Sequence, residues 1–253
     1  MERIQDLKAI DMHMHINHGS KFDAEENEVS AKRLEKLMEI SKAAGIEQMF
    51  CSTYSSVLST EEIEQENEYL HRLVQKVDGL YQWVVIDPRI KGTFAQAERM
   101  LQHKKCVGIK LHPFNHKYEL EKYSDEIFSF ASKFRAKVLI HVEKEPTYVV
   151  PMANKYPEAT IIVAHLGDKT YVDAAAFAEH GNVYVDTSGM ASFKNQIIEY
   201  AVSRIGAEKI LFGTDTYAAG FQRGRIEYAL ILEEEKRNIL RENTMRLFAE
   251  SLN

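Results

Sequence analysis

Short apolar runs rich in β-branched and aromatic residues alternate with longer amphipathic stretches along the whole chain. The runs fall near residues 8–15, 46–53, 80–87, 105–112, 136–142, 160–165, 182–187 and 209–214, and each reads as a strand. Helical periodicity follows each one, near 28–43, 61–77, 94–103, 124–134, 146–156, 170–179, 192–205 and 223–232, and a last helix is predicted from about 235 to 250. The Leu/Ile/Met stripe within 34–40 is the face a helix packs against a core. Strands that alternate with helices pair in parallel, because a parallel connection needs a long crossover. Eight such units close most naturally into a barrel. An open doubly wound sheet would be favoured by a Gly-x-Gly-x-x-Gly turn after the first strand. Here that strand ends in His-Met-His-Ile-Asn-His-Gly instead. No linker or low-complexity segment divides the chain. The prediction is one domain over residues 1–253, a single (β/α)8 TIM barrel with an extra C-terminal helix.

Barrel enzymes place their chemistry at the C-terminal ends of the strands, and polar ligand-type residues gather there in this sequence. The first strand carries Asp11, His13 and His15 at spacings of two, which in a regular strand puts all three on one face. Two imidazoles so spaced can reach one metal ion, and imidazole suits zinc and its first-row neighbours. The fifth run ends in His141, the sixth in His165 and the eighth in Asp215. Burying so many polar groups without partners would cost several kcal/mol each, and a metal is the economical explanation. The fourth run adds Lys110 and His112. A lysine on a barrel strand must pair with a carboxylate, shift its pKa or be modified. Carbamylated, Lys110 could bridge two metals. As an amine it could hold a substrate carboxylate or oxyanion, and Glu143 or Asp87 could pair with it structurally. Glu143 shares a face with His141 as a candidate for a second metal or substrate. Asp11 is expected to orient a ligand histidine. Asn17, His18, Arg89 and Asp168 sit just past strand ends as candidate substrate contacts, while His71, His103, His116 and His180 read as surface residues.

Composition narrows the function. The net charge of −6 carries no basic block, which argues against nucleic acid and anionic membrane as partners. A small-molecule substrate remains, and a homodimer is allowed. The charged N-terminus has no apolar stretch of signal-peptide type and no run approaches the ~20 residues that span a bilayer, so the expected location is cytoplasmic. Cys51 and Cys106, both inside apolar runs, are expected as buried free thiols.

Taken in order, Asp11-Met-His13-Met-His15, Gly108-Ile-Lys110-Leu-His112-Pro, Ile140-His141, Ala164-His165-Leu-Gly167 and Phe212-Gly-Thr-Asp215 resemble the amidohydrolase superfamily, and most nearly its amidohydrolase family 2 branch. The tail from Asn238 to Phe248 resembles that branch's closing helix. The resemblance implies a divalent metal, zinc first with manganese or iron as alternatives, at one or two ions per chain. It implies His13, His15 and His141 as metal ligands and Asp215 as ligand or as the general base toward an activated water. His165 would bind a second metal or act as acid/base on the reacting carbonyl. Lys110 matches the position that is carbamylated in binuclear members. The activity implied is hydrolysis of a small amide, lactone or related bond. The alternative is decarboxylation of a small aromatic or unsaturated acid. A metal-dependent phosphoesterase or nuclease is a third reading, disfavoured by the Gly-Ile-Lys-Leu-His-Pro strand, and a non-catalytic binding protein a fourth.

Overall fold

The computed structural model describes residues 3–18, 33–142, 144–189 and 194–252. Its strands are β1 (Ala9–Ile16), β2 (Ile46–Thr53), β3 (Leu80–Val85), β4 (Cys106–Leu111), β5 (Lys137–Ile140), β6 (Thr160–Val163), β7 (Val183–Asp186) and β8 (Ile210–Leu211). They form one parallel sheet in sequence order. Past β8 the backbone turns onto β1: Met12 N–H donates to Phe212 O at 2.9 Å, and His13 O accepts from Thr214 N at 3.2 Å and Asp215 N at 2.7 Å. These bonds close the predicted (β/α)8 barrel.

The predicted helices follow the strands, with α1 at Leu34–Ala43, α3 at Ile63–Val74, α4 at Lys91–Met100 and α6 at Leu120–Lys133. Two short helices not foreseen from periodicity, α2 (Tyr54–Leu58) and α5 (Pro113–His116), sit directly after β2 and β4 at the mouth. Four- and five-residue segments are too short to show a 3.6-residue repeat. The last helix departs from the continuous run expected: α-helix at Glu233–Arg237 passes through a π-helical segment at Asn238–Glu242 before Asn243–Leu247 and Ala249–Leu252.

Apolar side chains form an outer layer between barrel and helices and a smaller cluster inside the barrel. Ile10, Met12, Phe50, Trp83, Leu139, Ile162 and Leu211 belong to the inner cluster, with Phe248 from the C-terminal segment packed edge-on against Phe50 and Trp83. Thus the interior below the site is filled. Gly108 leaves room for this packing, since a Cβ there would meet Lys137 O at 2.3 Å and the Trp83 ring at 2.5 Å. Both cysteines are free and buried, as expected. Among the described residues no helix is long and apolar enough to cross a membrane.

Phe248→Ala should leave a cavity in the barrel floor and cost about 3–5 kcal/mol. Thermal denaturation should show a fall of about 2–4 °C per kcal/mol for a chain of this size. An unchanged midpoint would mean that the C-terminal segment does not support the barrel.

Candidate metal centre and active site

A register irregularity between Asp11 and Met14 interrupts the alternation of β1. Ile10 and Met12 face the inner apolar cluster, and His13 and His15 then face the site above it. Asp11 therefore does not share their role, contrary to the period-two expectation. Its carboxylate accepts from the backbone N–H of His13 (3.1 Å) and Thr214 (3.0 Å) and from the Thr214 hydroxyl (2.6 Å). Burial pushes Asp11 up to about 7 against those three hydrogen bonds.

The carboxylate that orients a histidine ring is Asp186, at the end of β7. Its Oδ2 accepts from His13 Nδ1 at 2.8 Å, while its Oδ1 accepts from Ser188 N at 2.8 Å and His165 N at 3.3 Å. Burial works against ionisation here, but His13 and these donors hold Asp186 well below the usual carboxylate range. Asp186 was not singled out in the sequence. It is a strand-end carboxylate like Asp215, and the same rule applied to the seventh run would have found it. His13 itself is pushed down to about 3, chiefly by burial and then by the nearby Lys110 charge. It stays neutral with its proton on Nδ1 and its lone pair on Nε2.

That lone pair lies 3.5 Å from Asp215 Oδ1, and His15 Nε2 lies 3.2 Å from the same oxygen. His15 Nδ1 is in turn 2.8 Å from the Ser52 hydroxyl. Two donors bound at about 2.1 Å to one tetrahedral ion stand about 3.4 Å apart. The spacing, the neutral rings and the partners on each far nitrogen thus fit a divalent cation held by His13, His15 and Asp215. In a second trio of donors within 4.8 Å, His13, His165 and Asp186, His13 Nδ1 is bonded to Asp186 and His165 Nδ1 stands 3.0 Å from the Ser188 hydroxyl.

The remaining candidates gather around this trio. Lys110 is fully buried, with Nζ 3.1 Å from His13 Nε2. Burial lowers it to about 8, while Asp215 and Asp186 pull the other way. It does not pair with Asp87, which is bound to Arg89 instead. His165 Nε2 is 2.9 Å from His141 Nδ1, and the His141 ring stacks on His112 at 4.2 Å. Burial, followed by the charges of His165 and Lys110, holds His141 down to about 2. Although burial opposes it, hydrogen bonding from His15 and the surrounding imidazoles keep Asp215 far below its ordinary value. His165, Asp215 and Thr216 all have left-handed backbones, with φ of 67°, 55° and 70°. Such strain concentrates where a site dictates side-chain direction.

Other expectations fare differently. His116 is buried rather than on the surface, with Nε2 2.9 Å from Ser56 O. His71 is half-buried against Cys106 Sγ at 3.3 Å, while His103 and His180 are exposed. His18 is bound to Glu66 at 2.9 Å and Asp168 caps the following helix. Glu143 lies outside the described residues.

A family model described as amidohydrolase matches residues 10–249. The chain belongs to the amidohydrolase family. Comparison with curated proteins finds no match. Several solved structures share the amidohydrolase barrel over nearly its full length. A 2,6-dihydroxybenzoate decarboxylase from Rhizobium matches at 16% identity and TM-score 0.71, covering 96% of this chain and 98% of its own. A dihydroxybenzoic acid decarboxylase from a Polaromonas species, with bound manganese and the inhibitor 2-nitroresorcinol, matches at 17% identity and TM-score 0.74, covering 97% and 99%. A 5-carboxyvanillate decarboxylase from Novosphingobium aromaticivorans, complexed with manganese and a nitrobenzoic acid, matches at 14% identity and TM-score 0.75, covering 97% of each. At these identities the likeness is one of fold.

Asp186→Asn should weaken metal binding about 10–100-fold without unfolding the chain, because it replaces the carboxylate that orients His13. Competition with a chelating dye measures this, and unchanged affinity would remove Asp186 from the centre. A second expectation concerns acid stability. His13, His15 and His141 are all depressed in the fold, so the unfolded chain binds protons that the folded chain refuses. Stability should be full above about pH 6.5 and fall below it by up to about 1.4 kcal/mol per pH unit per histidine. Urea midpoints that stay level from pH 7 to pH 5 would show that these rings are not held neutral.

Proposed function

We propose that this chain is a metal-dependent decarboxylase of a small aromatic carboxylic acid. The observation that carries this reading is a cleft of about 180 Å³ opening on Asp215 and His15, lined mostly by aromatic side chains: Tyr54, His112, Phe114, His141 and Tyr217. Ring faces accept a flat aromatic molecule by stacking. The volume lies below the ~300–1,000 Å³ of pockets for drug-sized ligands, so it suits one ring. The decarboxylase neighbours on the same fold support the reading, and their manganese supports a divalent ion. His13, His15 and Asp215 would hold it. The mixed nitrogen and oxygen set is acceptable to zinc as well as manganese. When bound, the ion stabilises negative charge on substrate oxygens.

The chain's own groups supply the rest. Lys110 places a buried amino group next to His13, where its charged form attracts the substrate carboxylate. As CO2 leaves, the electron pair of the broken carbon–carbon bond stays on the ring carbon, and one proton must reach that carbon. Asp215 lies at the cleft, where its carboxyl group can deliver to the ring carbon a proton taken from substrate or solvent. His165 Nε2 and His141 Nδ1, 2.9 Å apart, are close enough to share the proton from solvent that restores Asp215 after each turnover.

Hydrolysis of a small ester or amide is the second reading. It is favoured by the position of Asp215 at the cleft, where a carboxylate can accept a proton from an attacking water. Metal-loaded protein should release CO2 from hydroxylated benzoic acids, lose activity with a chelator and regain it with manganese or zinc. Asp215→Asn should lower turnover about 10²–10⁴-fold while keeping the fold. Acid formed from lactones or amides, with no CO2 from any aromatic acid, would hand the assignment to the hydrolase.

A further inference from the structure

A second buried polar cluster lies beside the centre without touching its metal-binding trio. Asp87, just past β3, is fully buried, and both its oxygens face Arg89: Oδ1 accepts from Arg89 Nε (2.9 Å) and from its backbone N–H (2.9 Å), and Oδ2 from Nη2 (2.7 Å). The same guanidinium reaches across to the mouth, donating from Nη2 to His116 O at 2.5 Å and from Nη1 to Lys117 O at 3.4 Å. Those carbonyls end α5. Four residues cannot hold a helix alone, because nucleation is unfavourable. The rest of α5 is stitched to α2, through His116 Nε2 to Ser56 O at 2.9 Å and Asn115 Nδ2 to Val57 O at 3.2 Å. α5 and its N-cap carry Phe114 and His112, two walls of the ring-lined cleft. Arg89 does not line that cleft; it lines the neighbouring one, of about 370 Å³, in which Phe114 also stands.

We infer that the Asp87–Arg89 pair is a positioning device: it fixes the aromatic wall made by His112 and Phe114 and so sets affinity for the substrate ring, while leaving metal binding and proton transfer to other groups. This rests on the proposed aromatic substrate for its kinetic consequence, but its structural half does not. The guanidinium is needed for its shape. One planar fork joins a carboxylate on one segment to two carbonyls on another, which a lysine ammonium cannot span.

The test is Arg89→Lys, which keeps a positive charge beside Asp87, with Asp87→Asn/Arg89→Met, which removes both charges, as a second variant should the first fold poorly. Hydrogen exchange on the whole metal-loaded protein should show the amides of residues 115–118 exchanging about tenfold faster, with the barrel strands unchanged. KM for the aromatic acid should rise about fivefold or more with kcat within about twofold, the pattern of lost substrate binding rather than lost transition-state contact. Manganese affinity should stay within about twofold, since the pair touches none of the three donors. Unchanged exchange at 115–118 would overturn the inference whatever the reaction, as would a fall in kcat at constant KM. If the parent protein decarboxylates nothing, the proposed function fails, and the exchange measurement still decides whether the pair holds the wall.

Discussion

Where the last strand returns to the first, a buried carboxylate gathers three donors. Asp11 takes the backbone N–H groups of His13 and Thr214 and the Thr214 hydroxyl, and beside it His13 O accepts from Thr214 and Asp215. A barrel has no edge only if this junction holds, and β8 contributes just two residues of regular strand to it. The same junction brings His13 and His15 within 3.5 Å and 3.2 Å of Asp215. Closure of the fold and assembly of the donor trio are therefore one event. Gly213 shows how tight the fit is: a Cβ there would stand 2.9 Å from His13 Cβ and 3.0 Å from Ser188 Cβ.

Around that junction, charge is managed by giving each buried carboxylate several partners. Asp186 takes the proton side of His13 and leaves the other nitrogen as a donor pair. Ser52 does the corresponding work for His15 with a hydroxyl, at less electrostatic cost. Lys110 offsets part of the negative charge of Asp186 and Asp215 from within the barrel. A set of neutral imidazoles between two ionised carboxylates is poor at existing without a cation and well suited to holding one.

Much of this was legible in the sequence, for a definite reason. Eight strand-like runs each end where a barrel mouth must be, so the ligand types at those ends, His13, His15, Lys110, His112, His141, His165 and Asp215, stand out against apolar runs. The structure places His15, His112, His141 and Asp215 on one cleft, with His13 and His165 in the donor groups beside it and Lys110 against His13. What stayed hidden depends on contacts between distant segments. Asp11 looked like a ring-orienting group because alternation was extrapolated through a point where β1 breaks register. His116 looked exposed because α5 is too short to signal a helix, and its burial comes from α2. The π-helical segment at Asn238–Glu242 leaves no mark in a pattern read at 3.6 residues per turn. Ser52 and Ser188 are small hydroxyls whose value lies only in which nitrogen they face.

The junction joins residues about 200 positions apart, as in the hydrogen bond from Thr214 to Asp11. Contacts between successive strands, by contrast, are local and can form as synthesis proceeds from the N-terminus. On the ribosome, then, His13 and His15 emerge early and wait for Asp215 through the translation of seven further strands. Until then the nascent chain presents two imidazoles without their carboxylate. The three donors come together only when the last strand has been made, so any truncation before β8 leaves the two imidazoles without the oxygen they face in the fold.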